Sequence, residues 1–215
     1  MSSRAILGAL ALVLSTAALA QAGYASRNDA LEGLAAPDAM RRAEAVIYLA
    51  VEGAPSDEAA LRRLLFDDSP QVRELAEQAV WLVWSRSGDE SIDVLMAKGT
   101  SEMRAGELDD AIATFSEVIR RKPAFAEGWN KRATVLFMAG EMRKSLADCG
   151  EVIKRNPHHF GALSGYGHIY FHLEQYEKAL VYWKRALAEN PNMPSIESSI
   201  ELVEHLIAQR RRNTV

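Results

Sequence analysis

After its first twenty positions the chain carries apolar residues at helical spacing almost throughout, and from Ile92 onward that spacing is itself periodic. Written in rows that begin at Ile92, Ala126 and Phe160, the eighth position reads Gly99, Ala133, Gly167 and the twentieth Ala111, Ser145, Ala179, small residues where two helices must come close. The fourth position holds Leu95, Trp129, Leu163, the twenty-fourth Phe115, Cys149, Trp183, and the twenty-seventh Val118, Val152, Ala186, so large and small apolar groups alternate at core positions. The small Cys149 between two aromatic counterparts leaves space that Trp129 or a neighbour is expected to fill. Pro123, Pro157 and Pro191 recur at the same interval and close the rows, since proline lacks the amide donor and biases the residue before it out of helix. Gly106 and Gly140 fall between the two helices of the first two rows, where φ can turn positive, and the third row has Glu174 there. The pattern predicts helix–turn–helix units that stack, because one such unit cannot bury its apolar face alone.

These spacings resemble the tetratricopeptide repeat over residues 92–193, with units at 92–125, 126–159 and 160–193. Residues 194–212, with Ile196, Ile200, Val203 and Ile207 at helical spacing behind Pro194 and Ser195, read as a capping helix. The expected fold is all-α, a helical-hairpin solenoid of three such units plus the cap. Upstream, residues 37–88 are helical without the period of the later rows. Asp68-Ser69-Pro70 followed by Val72, Arg73, Leu75, Ala76, Ala79, Val80 and Val83 resembles the second helix of a HEAT repeat. The same stripe stands earlier in the chain as Met40, Arg41, Ala43, Ile47, Tyr48 and Val51, so Arg41 is expected to match Arg73, although Ala36 stands where Asp68 needs a counterpart and Glu44 replaces a small residue. Residues 21–36 read as a linker, and the polar stretch around Gly88 as a boundary.

Composition narrows the partners. With 215 residues, 48% hydrophobic and 25% charged, at a formal net charge of −4, the chain has no general basic field, so nucleic acid is not an expected partner. The basic run Arg210, Arg211, Arg212 suits the dipole of a helix end. Arg4, the uncharged apolar run Ala5 to Ala20 and the small residues Ala18 and Ala20 have the form of a cleavable signal peptide over 1–20. Cleavage is expected after Ala20 or Ala22, giving a periplasmic or secreted protein with no stable membrane insertion afterwards. Cys149 is the only cysteine, so no disulfide forms within the chain.

In the family that the rows resemble, the first helix of each repeat lines a concave groove. The resemblance implies groove residues Met96, Thr100, Met103 and Arg104 in the first unit, Asn130, Lys131, Thr134, Phe137 and Met138 in the second, and Ser164, His168, Phe171 and His172 in the third. Met103, Phe137 and Phe171 are expected to make an apolar track, with a peptide or amphipathic helix of another protein as ligand. Family modules that seize the acidic tails of heat-shock chaperones carry a cationic carboxylate clamp. Its positions here are Met96, Thr100, Lys131, Gly161 and Gly165, and only Lys131 is a cation, so that ligand is not expected.

His168 and His172 have the spacing that lets two imidazoles share a metal, but no acid follows in a zinc-protease pattern. No cofactor, metal or catalytic residue is expected, and Cys149 falls at a core position. The reading is a non-catalytic protein–protein interaction scaffold of the periplasm or cell envelope. Two other roles fit the same residues: an accessory subunit with a metal or catalytic role centred on His168 and His172, and a purely structural envelope protein.

Overall fold

The computed structural model describes residues 23–213, which place eleven α-helices and two short 3-10 turns in sequence; the expected signal peptide lies outside the described residues. The chain divides between Arg86 and Ser87 into two units.

The first unit holds α1 (Arg27–Gly33), α2 (Ala39–Glu52), α3 (Glu58–Arg63) and α4 (Pro70–Ser85). Helix α1 lies inside the stretch expected to be a linker. So short a helix cannot show a period, yet Ser26 caps it by accepting from Asp29 N, and Arg27 Nε donates to Asp57 at 2.8 Å. Helices α2 and α4 start alike, capped by Asp38 and Ser69. Arg42 Nη1 then donates to the carbonyls of Ala36 and Pro37, and Arg73 Nη1 to those of Asp67 and Asp68, the same two places back along the chain in both cases. The counterpart of Arg73 is therefore Arg42, not Arg41, and the two helices align one position away from the register that the sequence suggests. Arg41 instead lies over the ring of Tyr24 at 5.3 Å. Arg42 also grips Asp67 with two bonds of 2.6 and 2.8 Å, joining the starts of α2 and α4 and holding that carboxyl below its ordinary range.

The second unit contains α5 (Glu90–Ala105), α6 (Leu108–Arg121), α7 (Ala126–Met138), α8 (Met142–Arg155), α9 (Phe160–His172), α10 (Tyr176–Glu189) and α11 (Pro194–Asn213). They pack as successive pairs, α5 on α6, α7 on α8 and α9 on α10, with α6 on α7, α8 on α9 and α11 on α10 between them. Each pair ends in the same way: Lys122, Asn156 and Asn190 turn to φ of −134, −133 and −140°, and their N–H groups donate to Val118, Val152 and Ala186. That backbone is the one a following proline favours. The turns inside the pairs pass through the left-handed region at Gly106 (φ 80°), Gly140 (φ 78°) and Glu174 (φ 55°). For a residue with a side chain that conformation costs about 1 kcal/mol or more.

The core follows the alternation of sizes. A Cβ on Gly99 would come within 2.8 Å of Phe115, and one on Gly167 within 2.2 Å of Trp183, so glycine is what lets these rings in. In the middle row Ala133 and Cys149 cluster with Ile169 instead. At the end, α11 lays Ile196, Ile200 and Val203 against Ala179 and Trp183.

Candidate functional site

A glycine–ring pair fills the core of the first and third rows, whereas Ala133 and Cys149 bring no ring into the second. The volume they leave opens as a groove of about 220 Å³, lined by Asn130, Ala133, Thr134 and Phe137 of α7, by Ser145 and Cys149 of α8, and by Gly161, Ala162, Ser164, Gly165, His168 and Ile169 of α9. Trp129 does not fill it. Its indole lies between the guanidinium groups of Arg132 and Arg155, 5.2 and 4.7 Å from the ring, and its Nε1 donates to Pro123 O. Glycine at 161 and 165 keeps the α9 wall low, and a Cβ on Gly165 would sit 3.5 Å from Cys149 Sγ.

Five of the thirteen residues expected in the groove meet here: Asn130, Thr134, Phe137, Ser164 and His168. Others are placed differently. Met96 is only 8% exposed and belongs to the core formed by Ile92, Phe115 and Val118, because its position on α5 turns toward α6. Thr100 donates to Met96 O at 2.7 Å, and Met103 packs on that same core. Phe171 leans on Trp183 and Tyr176 at 5.9 and 5.7 Å. The expected track of Met103, Phe137 and Phe171 is thus broken up, each packing on the core of its own row, and of the three Phe137 lines the groove. Arg104, Met138 and His172 are exposed, and Lys131 is ion-paired with Glu127 at 3.3 Å.

The two histidines act as aromatic neighbours. His168 stands edge-on to Trp183 at 5.4 Å, and burial, then the nearby His172, lower its pKa. His172 meets Phe137 at 5.1 Å. Among the described residues no group of three or more His, Cys, Asp or Glu is placed to hold a metal ion.

Family models described as tetratricopeptide repeat match residues 96–149 and 162–193. A TPR repeat-containing protein of Rhizobium etli is 32% identical over 130 residues, covering 60% of this chain; the chain spans 64% of that relative's length. Residues 96–149 and 162–193 thus have the sequence pattern of tetratricopeptide repeats. Solved structures show the same fold. The first TPR of Spaghetti (RPAP3), bound to the HSP90 peptide SRMEEVD, is 23% identical with a TM-score of 0.54, covering 55% of this chain and 94% of that one. The Sgt2 TPR domain from Aspergillus fumigatus is 20% identical with a TM-score of 0.55, covering 58% and 83%.

Beside the groove lies a buried charge that no sequence motif announces. Glu127 and His159, each 1% exposed, are joined at 3.2 Å, and Asn130 Nδ2 donates to the same Glu127 oxygen at 3.0 Å. Burial opposes ionisation of Glu127, but the hydrogen bond from His159 and the charge of Lys131 outweigh it and hold the carboxyl below its ordinary range. Glu127 occupies the second position of its repeat, where no other row carries a buried acid. His159 precedes its helix as a cap, so no helical period includes it. At the groove floor, burial and then Asp148 push the Cys149 thiol up to about 12.

Proposed function

We propose that this chain is a non-catalytic interaction scaffold that holds a segment of another protein in the groove between α7 and α9. The observation that carries this reading is the opening at Ala133 and Cys149: stability alone would be served by the glycine–ring pair of the other repeats, and the open volume suits one apolar side chain of a ligand. Neighbours of this fold supply a precedent for peptide capture, one being bound to an HSP90 peptide and another, the TPR2B domain of yeast Sti1, standing in a pHsp70 complex. The apolar run before Ala20 supports a place in the periplasm or envelope, and the paired caps and arginines of α2 and α4 support a HEAT-like first unit. Among the described residues no helix is long and apolar enough to cross a membrane.

The test is a pull-down from an envelope extract with the wild-type chain and with Ala133→Gly/Cys149→Phe, which rebuilds the glycine–ring pair and closes the groove. A protein retained by the wild type and lost by an equally stable variant supports the reading. Equal retention by both moves the binding surface elsewhere.

A further inference from the structure

A hydrogen-bond chain behind the groove fixes what polarity the groove can offer. The N–H of Ala162, in the first turn of α9, donates to His159 Nδ1 at 3.1 Å. With Nδ1 accepting, the ring proton sits on Nε2 and goes to Glu127 Oε2, the oxygen that also receives Asn130 Nδ2. All three side chains are at least nine-tenths buried.

Three consequences meet at the groove. The first turn of a helix ordinarily offers free N–H groups to an anion, but the Ala162 N–H is already used by His159. Asn130 lines the groove with one of its two amide N–H groups given to Glu127, which fixes the amide and leaves Oδ1 as an acceptor for a ligand. Lys131, the one cation at a clamp position, is matched by Glu127, whose buried Oε1 it faces at 3.3 Å. Glycines occupy the other places on α9 from which a cation could reach in. Of the polar side chains that line the groove, Thr134 and Ser145 give their hydroxyl protons to the carbonyls of Asn130 and Ala133, and Asn130, Thr134, Ser145 and Ser164 carry no charge that could pair with a carboxylate.

Taking the groove reading as given, we infer that this groove selects an uncharged ligand residue, an apolar side chain whose own peptide N–H donates to Asn130, and turns carboxylates away, with Glu127 as the positioning residue that sets this preference. Glu127 acts twice, orienting the Asn130 amide and cancelling Lys131. An acidic tail such as the peptide held by the Spaghetti domain would meet an acceptor and a lysine already matched by Glu127.

The experiment titrates the isotope-labelled chain with N-acetyl-leucine N-methylamide and, separately, with N-acetyl-leucine, a carboxylate at pH 7, following the amide resonances of Thr134, Gly161 and Gly165. The methylamide is expected to shift them at millimolar concentration, and the carboxylate to bind at least tenfold more weakly. In Glu127→Gln, checked for an intact melting transition, Lys131 is released and the gap should fall below threefold. Lys131→Met gives a second reading that does not disturb the buried oxygen pair: because the cation is already matched, carboxylate binding should not weaken by more than about twofold. Carboxylate binding equal to or tighter than the amide in the wild type overturns the inference while the groove stands. A tenfold loss in Lys131→Met, or an unchanged gap in folded Glu127→Gln, removes Glu127 from the role assigned to it. Silence of all three resonances with both probes overturns the groove reading itself.

Discussion

The first and third repeats are closed where the second is open. In the closed pair a glycine on the first helix admits Phe115 or Trp183, each at most 1% exposed, and the two side chains together fill the space between the helices. In the open repeat Ala133 adds one carbon while Cys149 subtracts a ring, and the sum falls short. Phe137, Met142, Leu146 and Tyr166 pack against this cluster without closing the volume: Trp129 is engaged by Arg132 and Arg155, Tyr166 also stacks on Tyr182 at 4.3 Å, and glycines at 161 and 165 keep the facing wall thin. Packing in a repeat array is thus set locally, pair by pair, and one repeat can leave volume for a ligand while its neighbours hold the array together.

The comparison breaks most severely if a closed repeat is overfilled. Gly167→Ala, with a Cβ 2.2 Å from Trp183, should destabilise the second unit by about 3 kcal/mol, and Gly99→Leu by a similar amount, read as a fall in the urea midpoint. An unchanged midpoint for both would mean that the helices do not meet at these glycines. Ala133→Gly/Cys149→Phe tests the converse. It should change stability by no more than about 1.5 kcal/mol, since the added ring enters volume that is already open, while partner retention falls at least tenfold. Phe137→Ser should weaken capture with smaller cost to melting than either glycine change, because this ring is only half-buried and lines the groove.

Cys149 sharpens the picture further. At 3% exposure and with its pKa pushed up to about 12, the thiol should resist a thiol reagent at pH 8, where only on the order of one molecule in ten thousand carries the thiolate. Because the folded pKa is raised, its contribution to stability is complete below about pH 8.5, the ordinary thiol value, and is lost as pH rises toward the folded one. Rapid native labelling at pH 8 would show a repeat that opens far more readily than its neighbours. The smallest effect is expected at Glu174→Gly. Relief of the left-handed backbone should raise stability by up to about 1 kcal/mol, as the Arg210 ion pair lost with it is largely exposed.

The hairpins were legible because their signals are local and repeated: small residues at the helix crossing, a proline closing each row, a glycine in each of two turns. Where a signal was short or long-range, the reading slipped. Helix α1 is barely two turns long and its hold on Asp57 reaches far along the chain, so nothing near it in the sequence announced a helix. Arg41 and Arg42 are adjacent, and only the carbonyls they do or do not reach tell which one matches Arg73. Asn130, Thr134, Phe137, Ser164 and His168 were found because repeat position alone brings them to the groove. Met96 and Phe171 share those positions but lean on Phe115 and Trp183, which Cys149 replaces in the middle repeat. The pairing of Glu127 with His159 joins the start of one repeat to the loop before the next, a separation at which no helical periodicity speaks.

That same separation has a bearing on how such a chain can grow. Glu127, Asn130, Lys131 and His159 all fall within the second row, residues 126–159, and turns of the same backbone shape precede Pro123 and Pro157. Duplicating or deleting that row would copy or remove a carboxylate together with the groups that neutralise it. The array could lengthen or shorten by one hairpin without stranding this charge in its interior, so the buried carboxylate is inherited together with its partners.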